Sequence, residues 1–221
     1  MDRFDYSDTD WDAIARLKKW YSGDLHDSME SLGLWGHLPG ISLFGALDPG
    51  AVVCGPAVTV QFGPSQRRGV PQDIYHHAID SAPKGGIMVV EASCAAGSCT
   101  GGLMSTGAKI RGLAATVVNG TVRDIAEVQG QGQGYALFAT GLSPVGVTGK
   151  KEPRESQVPI QIGGVTIRPG DIVFGDIDGV VVVPKEHLRA VVEAAEALGQ
   201  TETECRDRLL SGEPLQSVWP V

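Results

Sequence analysis

Short, unbroken apolar runs rich in valine and isoleucine recur along this chain, and stretches with helical spacing separate them. Residues 87–91 read Ile-Met-Val-Val-Glu, 114–118 read Ala-Ala-Thr-Val-Val, and 135–139 read Tyr-Ala-Leu-Phe-Ala. Runs this short and this apolar suit central strands covered on both faces, because a half-exposed strand would alternate polar and apolar residues. Helix-like patterns occupy 72–81, 103–111 and 123–129 between them. Strand and helix in alternation imply βαβ units on a central sheet. Glycine makes up 30 of 221 residues, about twice the usual share of roughly 7%. The glycines fall between the runs and not in a tract, so they read as turns of a compact fold.

The ends of the chain carry different patterns. Trp11, Ile14, Ala15, Leu17, Trp20 and Tyr21 recur at helical steps after cap residues at 8–10, and a second helix is expected from Asp24 to a stop at Gly33. Together these give N-terminal helices over 8–33. Residues 51–62 are β-branched but interrupted by Gly55-Pro56, which predicts two strand pieces. After Thr140 come two short strands around Gly163-Gly164, then 171–174 and 180–183 flanking Asp176-Ile-Asp-Gly179. This reads as a C-terminal antiparallel block closed by a long helix over 185–211. No composition shift separates the two halves, so a single mixed α/β domain over 1–221 is expected.

With 26 acidic and 18 basic residues, a net charge of −8 argues against a protein whose main task is gripping nucleic-acid backbone. No apolar stretch reaches the roughly 18 to 20 residues that cross a bilayer. The polar opening at 1–12 is unlike a signal peptide. Cys54, Cys94, Cys99 and Cys205 form no CxxC pair and read as free thiols of a cytoplasmic protein. Several local patterns carry no chemistry. The glycines of 130–134 have the wrong spacing for a dinucleotide fingerprint, and Asn119-Gly-Thr121 is a glycosylation sequon without the compartment for it. Asp176 and Asp178 suit a tight turn whose carboxylates bond local amides. Adjacent His76 and His77 cannot both face one site.

The informative segment is 100–124. Gly101-Gly102 lets the backbone turn into a helix starting near Leu103, whose free amides form an anion site. The following strand delivers Asn119-Gly-Thr-Val-Arg123-Asp124 at a strand end, where α/β sheets place ligands. Arg123 offers a fork for a carboxylate, and Asp124 a hard oxygen ligand for a divalent ion. The alternative is a surface Arg-Asp ion pair.

This segment resembles the signature of the family joining the regulator of ribonuclease activity A with the class II pyruvate aldolases, the 4-hydroxy-4-methyl-2-oxoglutarate/4-carboxy-4-hydroxy-2-oxoadipate aldolases. The resemblance extends to Asp24-Leu-His-Asp27, Gly55-Pro-Ala-Val-Thr59, the helix holding His76, Pro169-Gly-Asp171 and the run from Asp176 to Pro184. It implies an α/β sandwich related to phosphohistidine swivelling domains, trimers or hexamers, and an active site at the subunit interface. By position, Arg123 resembles the arginine that binds the pyruvyl carboxylate, and Leu103 and Met104 would add backbone amides. Asp124 resembles the aspartate holding Mg²⁺ or Mn²⁺. Gln72 stands where the family often has asparagine, beside His76 on the same pocket wall. Glu202 matches a glutamate reaching a neighbour's site. The main departure is Gly102, where the aldolases carry aspartate, while Glu127 is kept.

The implied activity is a metal-dependent lyase acting on a small 2-oxo acid through a stabilised enolate. Its reaction would be oxaloacetate decarboxylation, aldol cleavage releasing pyruvate, or both, with Gly102 setting aldol cleavage in question. A related metal-dependent hydratase or isomerase is a further enzymatic reading. The rival from another class is a non-catalytic regulator of a ribonuclease or other protein.

Overall fold

The computed structural model describes residues 5–48, 50–69 and 72–219, so part of the polar opening at 1–12 lies outside the described residues. Helices α1 (Trp11–Leu17) and α2 (Ser22–Ser31) lead to the short strand β1 (Ser42–Leu43) and the long strand β2 (Val53–Pro64). Then follow α3 (Asp73–Asp80), β3 (Ile87–Glu91), α4 (Gly102–Arg111), β4 (Ala115–Val122), α5 (Ile125–Gly130) and β5 (Ala136–Leu142). Strands β6 (Lys151–Ser156), β7 (Ile160–Ile162), β8 (Val165–Ile167), β9 (Ile172–Gly175) and β10 (Val180–Val183) precede α6 (Leu188–Leu210) and α7 (Leu215–Val218).

Strands β2, β3, β4 and β5 run parallel, as the alternating pattern requires, and β9 and β10 extend the same sheet beyond β2. The sheet curls until it is nearly closed. Leu38 N–H donates to Val180 O at 3.0 Å on the β10 edge, and Ser42 and Leu43 pair with Ala139 and Phe138 on the β5 edge. One short segment thus touches both outer edges.

Curling gives the sheet an inside and an outside, and alternate residues of each strand go to opposite faces. Ala57, Val89, Val117, Phe138, Val173 and Val182 point inward to one apolar core, joined by Ile160, Ile162, Val165 and Ile167 of the separate β7–β8 hairpin. Val58, Val60, Met88, Val90, Val118 and Leu137 point outward beneath α3, α4 and α5. Cys54, Phe174, Val181 and Val183 point outward beneath α1, α2 and α6.

Several expectations need correction. The first helix ends at Leu17, and Trp20 and Tyr21 lie beyond it; Trp20 instead packs against Gly199 of α6, where no Cβ would fit. Gly55-Pro56 does not split the strand: it marks where β2 stops pairing with β9 and starts pairing with β3. The expected antiparallel block divides, with β9 and β10 in the main sheet and β7 and β8 forming their own. The long helix begins at Leu188 after a 3-10 turn over Lys185–His187. The Asp176 turn reaches further than local amides. Buried Asp176 accepts from Asp178 N at 2.9 Å but also from Ser22 N and Oγ at 2.7 and 2.8 Å. All four cysteines are unpaired. Among the described residues no helix is long and apolar enough to cross a membrane.

Candidate active site

Parallel strands bring their carboxyl ends together, and the segment after β4 meets the start of α4 there. Thr100 bridges Val122, and Arg123 N–H donates to Thr100 O at 3.1 Å. Gly101 leaves these side chains their place: a Cβ there would lie 2.5 Å from Asp124 Oδ2 and 3.1 Å from Arg123 Cγ, and one of them would have to move. Asp124 then turns into α5 with φ 59° and ψ 34°, the left-handed region that costs a non-glycine residue about 1 kcal/mol. Strain of this kind concentrates at functional sites. The turn aims the carboxylate back at α4, where Asp124 Oδ2 accepts from Gly102 N at 3.2 Å and stands 3.5 Å from Arg123 Nε.

The amides of α4 follow from this arrangement. Gly102 N is taken by Asp124, and Ser105 N is the first to bond within the helix, to Gly101 O at 3.0 Å. The N–H groups of Leu103 and Met104 between them are left for a ligand. They line a cavity of about 340 Å³ together with Gln72, His76, Arg123 and Asp124. His77 does not line it, as adjacency on α3 requires. Arg123 and Asp124 keep 44% and 45% of their side chains exposed, so both are reachable.

Glu127 stands just behind. A Cβ on Gly102 would fall 2.1 Å from Glu127 Oε2 and 2.3 Å from its Cδ, so the Glu127 carboxylate fills the space a side chain at 102 would take. Glu202 is not brought to this cavity within the chain. It lines a groove of about 200 Å³ with Cys205, Leu209 and Trp219, and its Oε2 lies 3.8 Å from Arg206.

The cavity also contains residues that sequence reasoning missed: Ser98, Cys99, Thr100, Gly146, Val147 and Thr148. Thr100 is fixed from below by Tyr75, whose hydroxyl lies 2.8 Å from Thr100 Oγ1. Tyr75 is fully buried against Phe62, and burial pushes its hydroxyl well above the usual range. Burial likewise pushes the Cys99 thiol up to about 11, so it is a neutral wall of the cavity at pH 7 and not a nucleophile. Thr100 adjoins the glycine pair and was legible by proximity; 146–148 belong to a loop with no periodic signal.

Comparison with known proteins finds relatives for the chain as a whole. The family model described as RraA-like, Aldolase/RraA, matches residues 22–182. The chain is similar to the protein DlpA of Legionella pneumophila, 32% identical over 217 residues, which is 96% of this chain but only 34% of that protein. It is 34% identical over 163 residues to a Halalkalibacterium halodurans protein provisionally named a 4-hydroxy-4-methyl-2-oxoglutarate aldolase, covering 72% of each. Among solved structures it resembles Streptomyces coelicolor RraAS2, described as an unusual member of the RNase ES inhibitor RraA protein family. The TM-score is 0.76 at 29% identity, over 93% of this chain and 98% of that one.

Proposed function

The chain belongs to the RraA-like family, which joins aldolases and RraA, and from that premise we propose a divalent-metal-dependent carbon–carbon lyase for a small 2-oxo acid, with oxaloacetate decarboxylation as the reaction its site fits best. The observation that carries this reading is the convergence of Arg123, Asp124 and the unpaired amides of Leu103 and Met104 on one cavity.

The donor set fits a hard ion. Asp124 Oδ1 makes no hydrogen bond among the described residues, and the Glu127 carboxylate lies across Gly102 from it. Carboxylate oxygens suit Mg²⁺ or Mn²⁺. When bound, such an ion supplies Lewis-acid polarisation of the substrate's 2-oxo oxygen. Asp124 is the residue to hold it, with Glu127 as the second carboxylate. Arg123 receives the substrate carboxylate in a two-pronged bond, and the α4 amides add dipole stabilisation to the same anion. Gln72 and His76 line the same cavity, where they orient the rest of the molecule.

Decarboxylation needs charge stabilisation but no base to deprotonate a distant hydroxyl. That favours it over aldol cleavage in a site with glycine at 102. The test is pyruvate release from oxaloacetate and from branched 4-hydroxy-2-oxo acids, with and without Mg²⁺ or Mn²⁺. Turnover of oxaloacetate that EDTA abolishes is expected; no turnover of any of these acids would refute the proposal.

Family kinship also supports a swivelling-type α/β arrangement, a cytoplasmic location and a homotrimer or hexamer with the site at an interface. In such an assembly Leu103, 87% exposed at the cavity rim in the single chain, gains cover, and Glu202 reaches a neighbour. The regulator reading draws on the description of the Streptomyces relative. It becomes the better one only if no 2-oxo acid is turned over.

A further inference from the structure

Arg123 borders two cavities. It lines the site cavity of about 340 Å³ and another, of about 320 Å³, walled by Val122, Ile125, Leu142, Ser143 and Pro144. Its guanidinium has few ties of its own. Nε stands 3.5 Å from Asp124 Oδ2, and neither Nη1 nor Nη2 makes a hydrogen bond among the described residues. A fork left open in this way is ready for a carboxylate. With two recesses in reach, packing has to decide where it lies.

Two glycine backbones do so. A Cβ on Gly101 would lie 3.1 Å from Arg123 Cγ and 3.4 Å from Nε, and a Cβ on Gly146 would lie 3.2 Å from Nη1. The stem and the tip of the side chain are each pressed to bare main chain. Gly146 is the more informative of the two. Its φ is outside the left-handed region, unlike those of Gly97 (102°) and Gly149 (70°), so its backbone would accept a side chain. Apart from its chain neighbours, Arg123 Nη1 is the one atom that a Cβ at 146 would meet within 4 Å among the described residues. A side chain at 146 would therefore disturb the tip of Arg123 and little else.

The seat is itself anchored. Residues 97–101 run between the loop carrying Gly146 and the strand end carrying Arg123. On one side Ser98 pairs with Gly146, its N–H donates to Val145 O at 2.7 Å, and its Oγ donates to Ser143 O at 2.6 Å. On the other side Thr100 bridges Val122, and its carbonyl accepts the Arg123 N–H at 3.1 Å. Gly97 lets the segments close up, since a Cβ there would lie 2.6 Å from Gly146 O. One strip of backbone fixes the spacing between the arginine and the surface it lies on.

We propose that Gly146 is a positioning residue for Arg123. Its missing side chain sets where the guanidinium presents its fork, so the size of residue 146 governs affinity for the substrate carboxylate. This role rests on the reading of Arg123 as the carboxylate binder.

The test is calorimetric binding of pyruvate to the full chain at saturating Mg²⁺, with thermal melting as the check of fold. Losing a charge-assisted hydrogen bond costs about 10- to 100-fold in binding, and Arg123→Ala should weaken pyruvate by that much. A Cβ at 3.2 Å asks Nη1 to give by a few tenths of an ångström. Gly146→Ala should therefore weaken binding about threefold, and the branched Gly146→Val at least about tenfold. Gly107→Ala adds a methyl where nothing lies within 4 Å and should bind as wild type does. Gly146→Ala should also melt no lower than wild type, because its backbone conformation suits alanine; it carries the test if valine disturbs the loop. The discriminating measurement is the pair. In an Arg123→Ala background, the substitution at 146 should have no further effect, whereas a role in loop structure alone would persist. Wild-type affinity in both Gly146 variants, or an equal loss with and without Arg123, would overturn the role and leave the lyase reading standing. If wild type binds no pyruvate, the carboxylate reading fails and this role goes with it.

Discussion

Gly102→Asp is the substitution most sharply constrained by the structure, because it introduces the aspartate that the family resemblance expects at a position already occupied from the other side. A Cβ at 102 would sit 2.1, 2.3 and 2.5 Å from Oε2, Cδ and Oε1 of Glu127. The whole Glu127 carboxylate must therefore leave. It is the far end of a flexible side chain, so the fold survives, but two carboxylates then compete for one position. At 4 Å like charges repel by about 1 kcal/mol in water and more in a drier site. That predicts non-additivity of at least about fivefold between the two positions. The single variant should gain little aldolase activity. Paired with Glu127→Ala, the new carboxylate seats without a rival and should gain about 10²-fold over Glu127→Ala alone, the low end for a placed acid or base. The assay is pyruvate release from a branched 4-hydroxy-2-oxo acid and from oxaloacetate at saturating Mg²⁺, on wild type, both singles and the double. If the double equals the product of the singles, the two carboxylates do not share a position and the reasoning fails.

Asp124→Ala should remove metal-dependent turnover by about 10³-fold, matching several kcal/mol of Lewis-acid stabilisation. It should cost about 1 kcal/mol of stability in urea, because alanine tolerates the left-handed region less well; full activity would contradict the assignment. Gly199→Ala should destabilise by about 1–3 kcal/mol despite better helix propensity, since its Cβ would meet the Trp20 ring at 1.9 Å; an unchanged melting temperature would refute the packing argument. Burial pushes Cys54, Tyr6 and Tyr135 up to about 12 and Cys99 up to about 11, from ordinary values of 9 to 10. All are neutral in the fold, so their contribution is complete below about pH 9 and is lost as pH rises through 11 to 12. The urea midpoint should hold to about pH 9 and then fall steeply, and a flat alkaline limb would disprove it. Sedimentation should give a trimer or hexamer; a stable, active monomer would exclude an interfacial site.

What the sequence disclosed depended on whether neighbours in sequence were also neighbours in function. The run 87–91 matches a strand from Ile87 to Glu91 because burial on both faces leaves an uninterrupted apolar signal. The 100–124 segment was legible because α4 and β4 are adjacent in sequence and in space. Strand β6 was not. Lys-Glu-Pro-Arg-Glu-Ser reads as a solvated loop, yet Lys151 is buried, donating to Ala92 O and Ala95 O at 2.5 and 2.9 Å, and Glu152 pairs with Arg154 at 2.6 Å. Tertiary partners override propensity there. Glu127 was visible as a retained acid, but its position against Gly102 depends on how α5 leaves the left-handed turn at Asp124.

The segment from Gly36 to Leu43 has a consequence for how the molecule assembles in time. Its hydrogen-bonding partners on one side, Val180 and Val182, lie more than a hundred residues downstream, and Phe138 and Ala139 on the other side lie nearly as far. Closing loops of that length costs entropy that only non-local contacts repay. Neither partner edge exists until the strands inward of it have docked, so this seam joins last on the way to the native state and parts first on the way out. Its amides should therefore exchange with deuterium ahead of those of β3 and β4, and slowing that step alone should delay the final phase of refolding while leaving the earlier ones intact.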